Sequence, residues 1–286
     1  MIPRTLQNKM LKATESMPII TLIGPRQSGK TTLAKHLFES HTYVNLECPD
    51  NREFASIDPN GFFKHYSGDL ILDEIQRVPT LLSYLQNMVD EHPKSGQFVL
   101  TGSQNMLLTE HITQSIAGRT ILFTLLPLSL EELSTHAQIP GDYMPHLLKG
   151  GYPRLYAYDV SPVDWLNAYL QTYVERDVRQ MINVKNLRQF QTFLKLCAGH
   201  IGQIINYTSF ANAVGVHSTT IKEWLSVLEA SYILFLLKPY HNNLSKRLIK
   251  SPKLYFHDTG LACTLLGITS LLSLTVHPLR GGFLRI

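Results

Sequence analysis

The chain has 286 residues, of which 44% are hydrophobic and 17% charged, with a formal net charge of +4. That is enough apolar material for a folded core spread over one large and one small domain. It contains no apolar stretch near the ~20 residues that a bilayer-spanning helix needs, since the longest, 121–130, is broken by Thr124, Pro127 and Ser129.

The apolar run at 17–23 follows a basic N-terminus but is too short for a secretory leader. Cys48, Cys197 and Cys263 match no metal spacing, and neither do the twelve histidines; the expected setting is cytoplasmic, with reduced thiols and no membrane. The positive excess sits in the tail. Residues 241–286 carry Lys246, Arg247, Lys250, Lys253, Arg280 and Arg285 against the single acid Asp258;.

In chain order, 18–23 reads as a short buried strand, because an apolar run without strict alternation suits a parallel sheet covered on both faces. A glycine loop follows, then a helix over 31–40. Strands are predicted at 42–46, 69–72, 97–101 and 120–125, and a helix capped by Thr80 runs to about Glu91, with Leu81, Leu82, Leu85, Met88 and Val89 inward. Strands separated by helices predict an α/β fold, a three-layer domain with a parallel sheet, assigned to residues 1–150. The breaker cluster Gly150-Gly151-Tyr152-Pro153 marks its end. A helical region over 151–200 follows, starting at Ser161-Pro162, with a second helix at 187–200. Residues 201–286 read as a winged helix: a helix-turn-helix over 208–230 with its turn at Gly215 and a cap at Ser218, then strands at 232–237 and 253–256 joined by the basic segment 245–250.

Gly24-Pro25-Arg26-Gln27-Ser28-Gly29-Lys30-Thr31 fits G-x-x-x-x-G-K-[ST] in full, between a predicted strand and helix, which is the context that gives the pattern meaning. The glycines let successive N–H groups face a phosphate, and the helix N-terminus adds partial positive charge. Gly24 to Thr32 is therefore the candidate phosphate cradle, with Lys30 reaching the β- and γ-phosphates and the Thr31 hydroxyl on Mg²⁺. Asp73, at the end of an apolar strand, is placed as the metal-side carboxylate. Glu74 beside it is placed to polarise a water, which favours hydrolysis over transfer to a hydroxyl acceptor. Ser103, with Gln104 and Asn105, ends the next strand and is the candidate γ-phosphate contact. Arg119 is the first candidate for an arginine that neutralises transition-state charge, and Arg154 the second. The Asn-Lys-x-Asp element that reads guanine is not found, which leaves adenine preferred. The helix-turn-helix turns Thr219, Thr220, Lys222 and Glu223 outward; one lysine alone supports DNA contact weakly, and the basic tail strengthens it.

These residues together resemble a family: the prokaryotic AAA+-type P-loop ATPases of the archaeal-ATPase class, which carry a winged-helix segment and a C-terminal domain of unknown function. The resemblance covers almost the whole chain. It rests on the loop, Asp58-Pro59, Leu72-Asp73-Glu74-Ile75-Gln76, Leu100-Thr101-Gly102-Ser103, Ala117-Gly118-Arg119, Leu126-Pro127-Leu128-Ser129 with Glu131, Gly150-Gly151-Tyr152-Pro153, Glu175-Arg176-Asp177-Val178, Lys253-Leu254-Tyr255-Phe256 and Asp258-Thr259-Gly260-Leu261. It implies ATP and Mg²⁺ as ligands and ATP hydrolysis. It also implies a nuclease-like region beyond Gly281-Gly282 that this sequence does not contain, so nuclease activity is not expected. The alternative is a nucleotide-gated DNA-binding regulator. A homo-oligomer is the arrangement in which an arginine would come from a neighbour.

Overall fold

In the computed structural model the described residues are 1–103, 115–137, 142–178, 186–240 and 251–284, with the backbone alone described for 175–178. The chain divides into two compact units, Met1–Leu126 and Pro127–Ile286.

The first unit is built on five parallel strands: β1 (Ile19–Gly24), β2 (Thr42–Asn45), β3 (Leu70–Asp73), β4 (Phe98–Ser103) and β5 (Thr120–Thr124), in the order β2-β3-β4-β1-β5. All positions of β1, β3 and β4 are buried, whereas β2 and β5 are half-exposed. That difference is the one between central and edge strands of a sheet covered on both faces. On one face Ile20, Leu22, Ile71 and Val99 pack with Met10 and Ala13 of α1 (Gln7–Ala13) and with Leu33 and Ala34 of α2 (Lys30–Leu37). Phe98, of opposite parity to Val99, meets Phe63 across the other face;. This is the three-layer α/β arrangement of P-loop NTPases.

Several local expectations are corrected. Between β2 and β3 lie two helices, α3 (Pro49–Ile57) and α4 (Pro59–His65), where the sequence reading placed no element. Each opens on a proline, which loses no hydrogen bond in the first turn, and Asp58 caps α4 by accepting from the Gly61 N–H at 2.9 Å. The helix after the loop stops at Leu37, three residues early. Thr80 makes no side-chain cap on α5 (Leu81–Glu91), in which Leu81, Leu82, Leu85 and Val89 are buried and Met88 is only half-buried.

The second unit is mainly helical. The helix Pro162–Tyr169 starts as expected, with Ser161 accepting from the Asp164 N–H, and continues into a π-helical stretch, Leu170–Val178. Helices Leu187–Gly199, Tyr207–Val214 and Ser218–Ala230 follow. Gly215 makes the turn between the last two at φ +77°, but the residue before the final helix is His217, with no side-chain cap, so Ser218 is not the cap. β6 (Leu234–Leu237) and β7 (Lys253–Phe256) form an antiparallel pair. The basic segment 245–250 lies outside the described residues.

The cluster Gly150-Gly151-Tyr152-Pro153 falls inside this unit and meets Asp258-Thr259-Gly260-Leu261 in space. Asp258, 3% exposed, accepts hydrogen bonds from the Gly151 N–H at 2.6 Å and the Leu261 N–H at 2.8 Å. A methyl group on Gly150 would lie 2.5 Å from the Asp258 carboxylate, and one on Gly260 2.8 Å from the backbone of residue 149. The glycines are there to allow this approach. Burial pushes the Asp258 carboxyl up to about 6, against its backbone hydrogen bonds, and burial pushes the neighbouring His257 down to about 4.

The two groups act on stability in opposite senses over one pH window. The Asp258 contribution is full below about pH 4 and is lost as pH rises through about 6; the His257 contribution is full above about 6.5 and is lost as pH falls through about 4. His257→Phe should therefore gain stability relative to wild type on going from pH 6.5 to 4.5, and Asp258→Asn should lose it, each by about 2 kcal/mol. Urea unfolding of the chain at the two pH values reads this; parallel pH dependence in both variants would contradict it.

Candidate active site

The glycine loop joins the C-terminal end of β1 to α2, and β4, inserted between β1 and β3, brings the ends of three strands together. Ser103 pairs with Gly24 in register, and Asp73 stands one residue beyond the Leu72–Leu100 pair. Gly24 has φ +150°, and a methyl group there would lie 2.2 Å from the Leu125 carbonyl oxygen, so the strand can leave for the loop only as glycine. Gly29 at φ +93° opens α2, whose first N–H groups have no acceptor within the helix.

The Lys30 ammonium folds back over the loop, donating to the carbonyls of Gly24 at 3.0 Å and Pro25 at 2.7 Å. Burial pushes it down to about 8, opposed by Glu74 and Asp73 and reinforced by Arg26. The Thr31 hydroxyl donates to both Asp73 oxygens, at 3.0 and 3.1 Å. Two further hydroxyls converge on the same carboxylate: Tyr43 at 2.8 Å, and Thr101. Burial and the Asp73 carboxylate hold the Tyr43 phenol well above its usual range, so it stays a donor. Ser28 is fully buried, and its hydroxyl has no hydrogen-bond partner among the described residues. Arg26 is half-buried, and Gln27, at φ +65°, and Thr32 are exposed.

Glu74 has φ +59° and ψ +46°, a conformation uncommon outside glycine;. Its Oε2 accepts from the Ser103 hydroxyl at 2.8 Å and from the Gln76 amide, which also donates to the Ser103 Oγ at 3.1 Å. Lys30, Thr31, Asp73, Glu74 and Ser103 thus meet at one end of the sheet. The hydroxyl and carboxylate oxygens of Thr31 and Asp73 are the hard donors that suit Mg²⁺, and the orphaned Ser28 hydroxyl and the buried ammonium lie in the loop that would hold phosphates. The residues present fit a Mg²⁺–nucleotide.

Arg119 is not brought to this end. It precedes β5, its carbonyl accepts from the Ile19 N–H at the start of β1, and its guanidinium is paired with Asp90 at 2.6 and 2.7 Å. Five strand residues, roughly 16 Å, separate that level from Gly24. The expected role of Arg119 within its own copy is therefore corrected. Arg154 lies in the second unit, exposed, with its guanidinium 5.0 Å from the Tyr158 ring centroid. Gln104 and Asn105 lie outside the described residues. Tyr43, Thr101 and Gln76 were not singled out as site residues from the sequence. Thr101 and Gln76 belong to runs that carry the family resemblance; Tyr43 is reached only through the β2–β3 register.

The fold and the loop define the α/β P-loop NTPase class. Residues 16–134 match the family model described as AAA domain, and residues 141–272 match a domain of unknown function (DUF8612). An uncharacterized protein of Mycobacterium tuberculosis, Rv2008c, is 30% identical over 279 residues, covering 96% of this chain and 62% of the relative. An uncharacterized protein of Methanocaldococcus jannaschii, MJ1544, is 25% identical over 274 residues, covering 84% of this chain and 60% of the relative. The chain thus spans about three-fifths of the length of these relatives. Among solved structures, the Walker-type ATPase paby2304 of Pyrococcus abyssi superimposes with a TM-score of 0.60 at 14% identity, covering 93% of this chain and 96% of that one, a likeness of fold. Among the described residues no helix is long and apolar enough to cross a membrane.

Proposed function

We propose that the chain binds ATP with Mg²⁺, hydrolyses it to ADP and phosphate, and couples turnover to a conformational change. The observation that carries this reading is the hydrogen bonding of the Thr31 hydroxyl to both Asp73 oxygens, on the same sheet end as Lys30 and a Glu74 held by Ser103. Lys30 leaves its two carbonyl partners for the β- and γ-phosphates. Thr31 and Asp73 would hold the metal, with Asp73 still supported by Tyr43 and Thr101. Glu74 orients the attacking water and takes its proton. Bound Mg²⁺ would supply neutralisation of the phosphate charge. Ser103, beside Gly24, would contact the γ-phosphate. Arginine assistance would come from Arg154 or, in a homo-oligomer, from Arg119 of a neighbouring copy. Phosphate release from ATP should be Mg²⁺-dependent and fall to background with EDTA; a pure chain that releases none under either condition would overturn the assignment.

A second reading, DNA binding through 201–286 as a winged helix, is supported by the helix pair around Gly215 followed by an antiparallel strand pair. Thr219, Lys222 and Glu223 are exposed on the second helix. A gel shift at two salt concentrations tests it; no shift at low salt, with or without ATP, rules it out.

A further inference from the structure

Gln76 has no part in the loop or the metal side, yet its side chain is tied into the site. It belongs to a single tight turn, Ile75–Arg77, closed by the Arg77 N–H donating to the Glu74 carbonyl at 2.9 Å. Ile75 and Val78 are buried and anchor the turn. With Glu74 in its left-handed conformation, the turn doubles back, so that the side chain two residues on reaches the carboxylate. The Gln76 Nε2 then donates both to Glu74 Oε2 and to the Ser103 Oγ, while the Ser103 Oγ itself donates to Glu74 Oε2. Glu74, Gln76 and Ser103 form a closed triangle.

Two features separate this from incidental packing. First, the donors converge on one carboxylate oxygen. That makes the two oxygens of Glu74 inequivalent and fixes the plane of the carboxylate, leaving Oε1 as the oxygen to present to a water. Second, the Gln76 Oε1 is buried with no hydrogen-bond partner among the described residues, a destabilising arrangement. A leucine or methionine would fill the same place without that cost, so the amide is there for its N–H groups.

We infer that Gln76 is the positioning residue for the general base: its amide, together with Ser103, sets the orientation in which Glu74 meets the attacking water. The inference rests on the proposed ATP hydrolysis. It differs from that reading in predicting a role exerted only through Glu74, on turnover and not on nucleotide affinity.

The test compares the full chain with Gln76→Met, Glu74→Gln and the double variant. The affinity for a fluorescent ATP analogue is measured by titration, steady-state phosphate release gives kcat, and single-turnover rates over long incubation serve the slow variants. Gln76→Met should lower kcat tenfold or more while leaving the analogue Kd within twofold. In the Glu74→Gln background the same change should alter the single-turnover rate less than twofold, since an orienting contact is silent once the base is gone. Unchanged kcat in Gln76→Met, an equal fall in both backgrounds, or a matching loss of nucleotide affinity would each overturn the inference. Gln76→Ala, judged by the same three criteria, replaces Gln76→Met if the latter does not fold. A wild-type chain without ATP turnover would instead sink the underlying assignment, and this inference with it.

Discussion

Lys30→Met should reduce nucleotide affinity at least a hundredfold while leaving the ligand-free chain as stable as wild type or more so. The two effects have one cause. With no phosphate present, the ammonium is buried, and its hydrogen-bond partners are the carbonyls of Gly24 and Pro25. Burial pushes its pKa down to about 8. A lysine depressed in the fold contributes stability that is full above its unfolded value of 10.5 and lost as pH falls through about 8;. At neutral pH the charged side chain therefore costs the ligand-free fold about 3 kcal/mol. Methionine removes that cost but takes the ammonium donor from both carbonyls, of which Pro25 keeps the Ser28 N–H at 3.4 Å, a loss worth about 1–3 kcal/mol, so the balance is neutral to favourable. Phosphate reverses the sign, because the buried charge then gains charge-assisted hydrogen bonds to an anion, and these are what the variant loses. Titration with a fluorescent ATP analogue reads the first effect, and thermal melting of the ligand-free chain reads the second. Binding within tenfold of wild type would remove Lys30 from the phosphate site. A melting temperature several degrees below wild type would show that Lys30 supports the empty loop.

The parts of this fold legible in the sequence are those whose cause is local. The glycine loop is read from its spacing because the backbone conformations at Gly24 and Gly29 demand glycine wherever the strand leads. The central strands show as apolar runs because both of their faces are covered. What was not legible depends on register and on partners distant in sequence. Tyr43 and Thr101 reach Asp73 only because β2 and β4 flank β3 with their ends level. Arg119, in Ala117-Gly118-Arg119, is the first candidate for a transition-state arginine, but nothing local says which end of the sheet the next strand begins from; the Ile19–Thr120 pairing does. Gly150 and Gly151 read as a boundary, since glycine pairs usually punctuate. Their reason here is steric: Asp258, more than a hundred residues away, occupies the space a Gly150 side chain would fill, and the Leu128 backbone occupies that of Gly151. Thr80 and Ser218 show the same limit on a smaller scale, as residues of capping type beside a helix start that make no cap.

The second large effect is expected from Glu74→Gln, which should bind ATP with wild-type affinity and release phosphate at least a hundredfold more slowly. Glutamine is nearly isosteric, so the left-handed backbone at residue 74 and its buried neighbour Ile75 are undisturbed. The neighbouring hydrogen bonds dictate how the new amide sits. Ser103 and Gln76 both donate to Oε2, so the amide oxygen must take that position and the NH₂ must take the other. The group facing the water then changes from an acceptor of protons to a donor. It can neither take the proton nor orient the water by accepting from it, which removes general-base assistance, worth roughly 10²–10⁴ in rate. The phosphate and metal contacts assigned to Lys30, Thr31 and Asp73 are untouched, so affinity is preserved. A nucleotide analogue titration alongside phosphate release separates the two quantities. Wild-type turnover in Glu74→Gln would remove Glu74 as the base and, because Gln76 acts through it, would leave the Gln76 amide without a catalytic reason for its place.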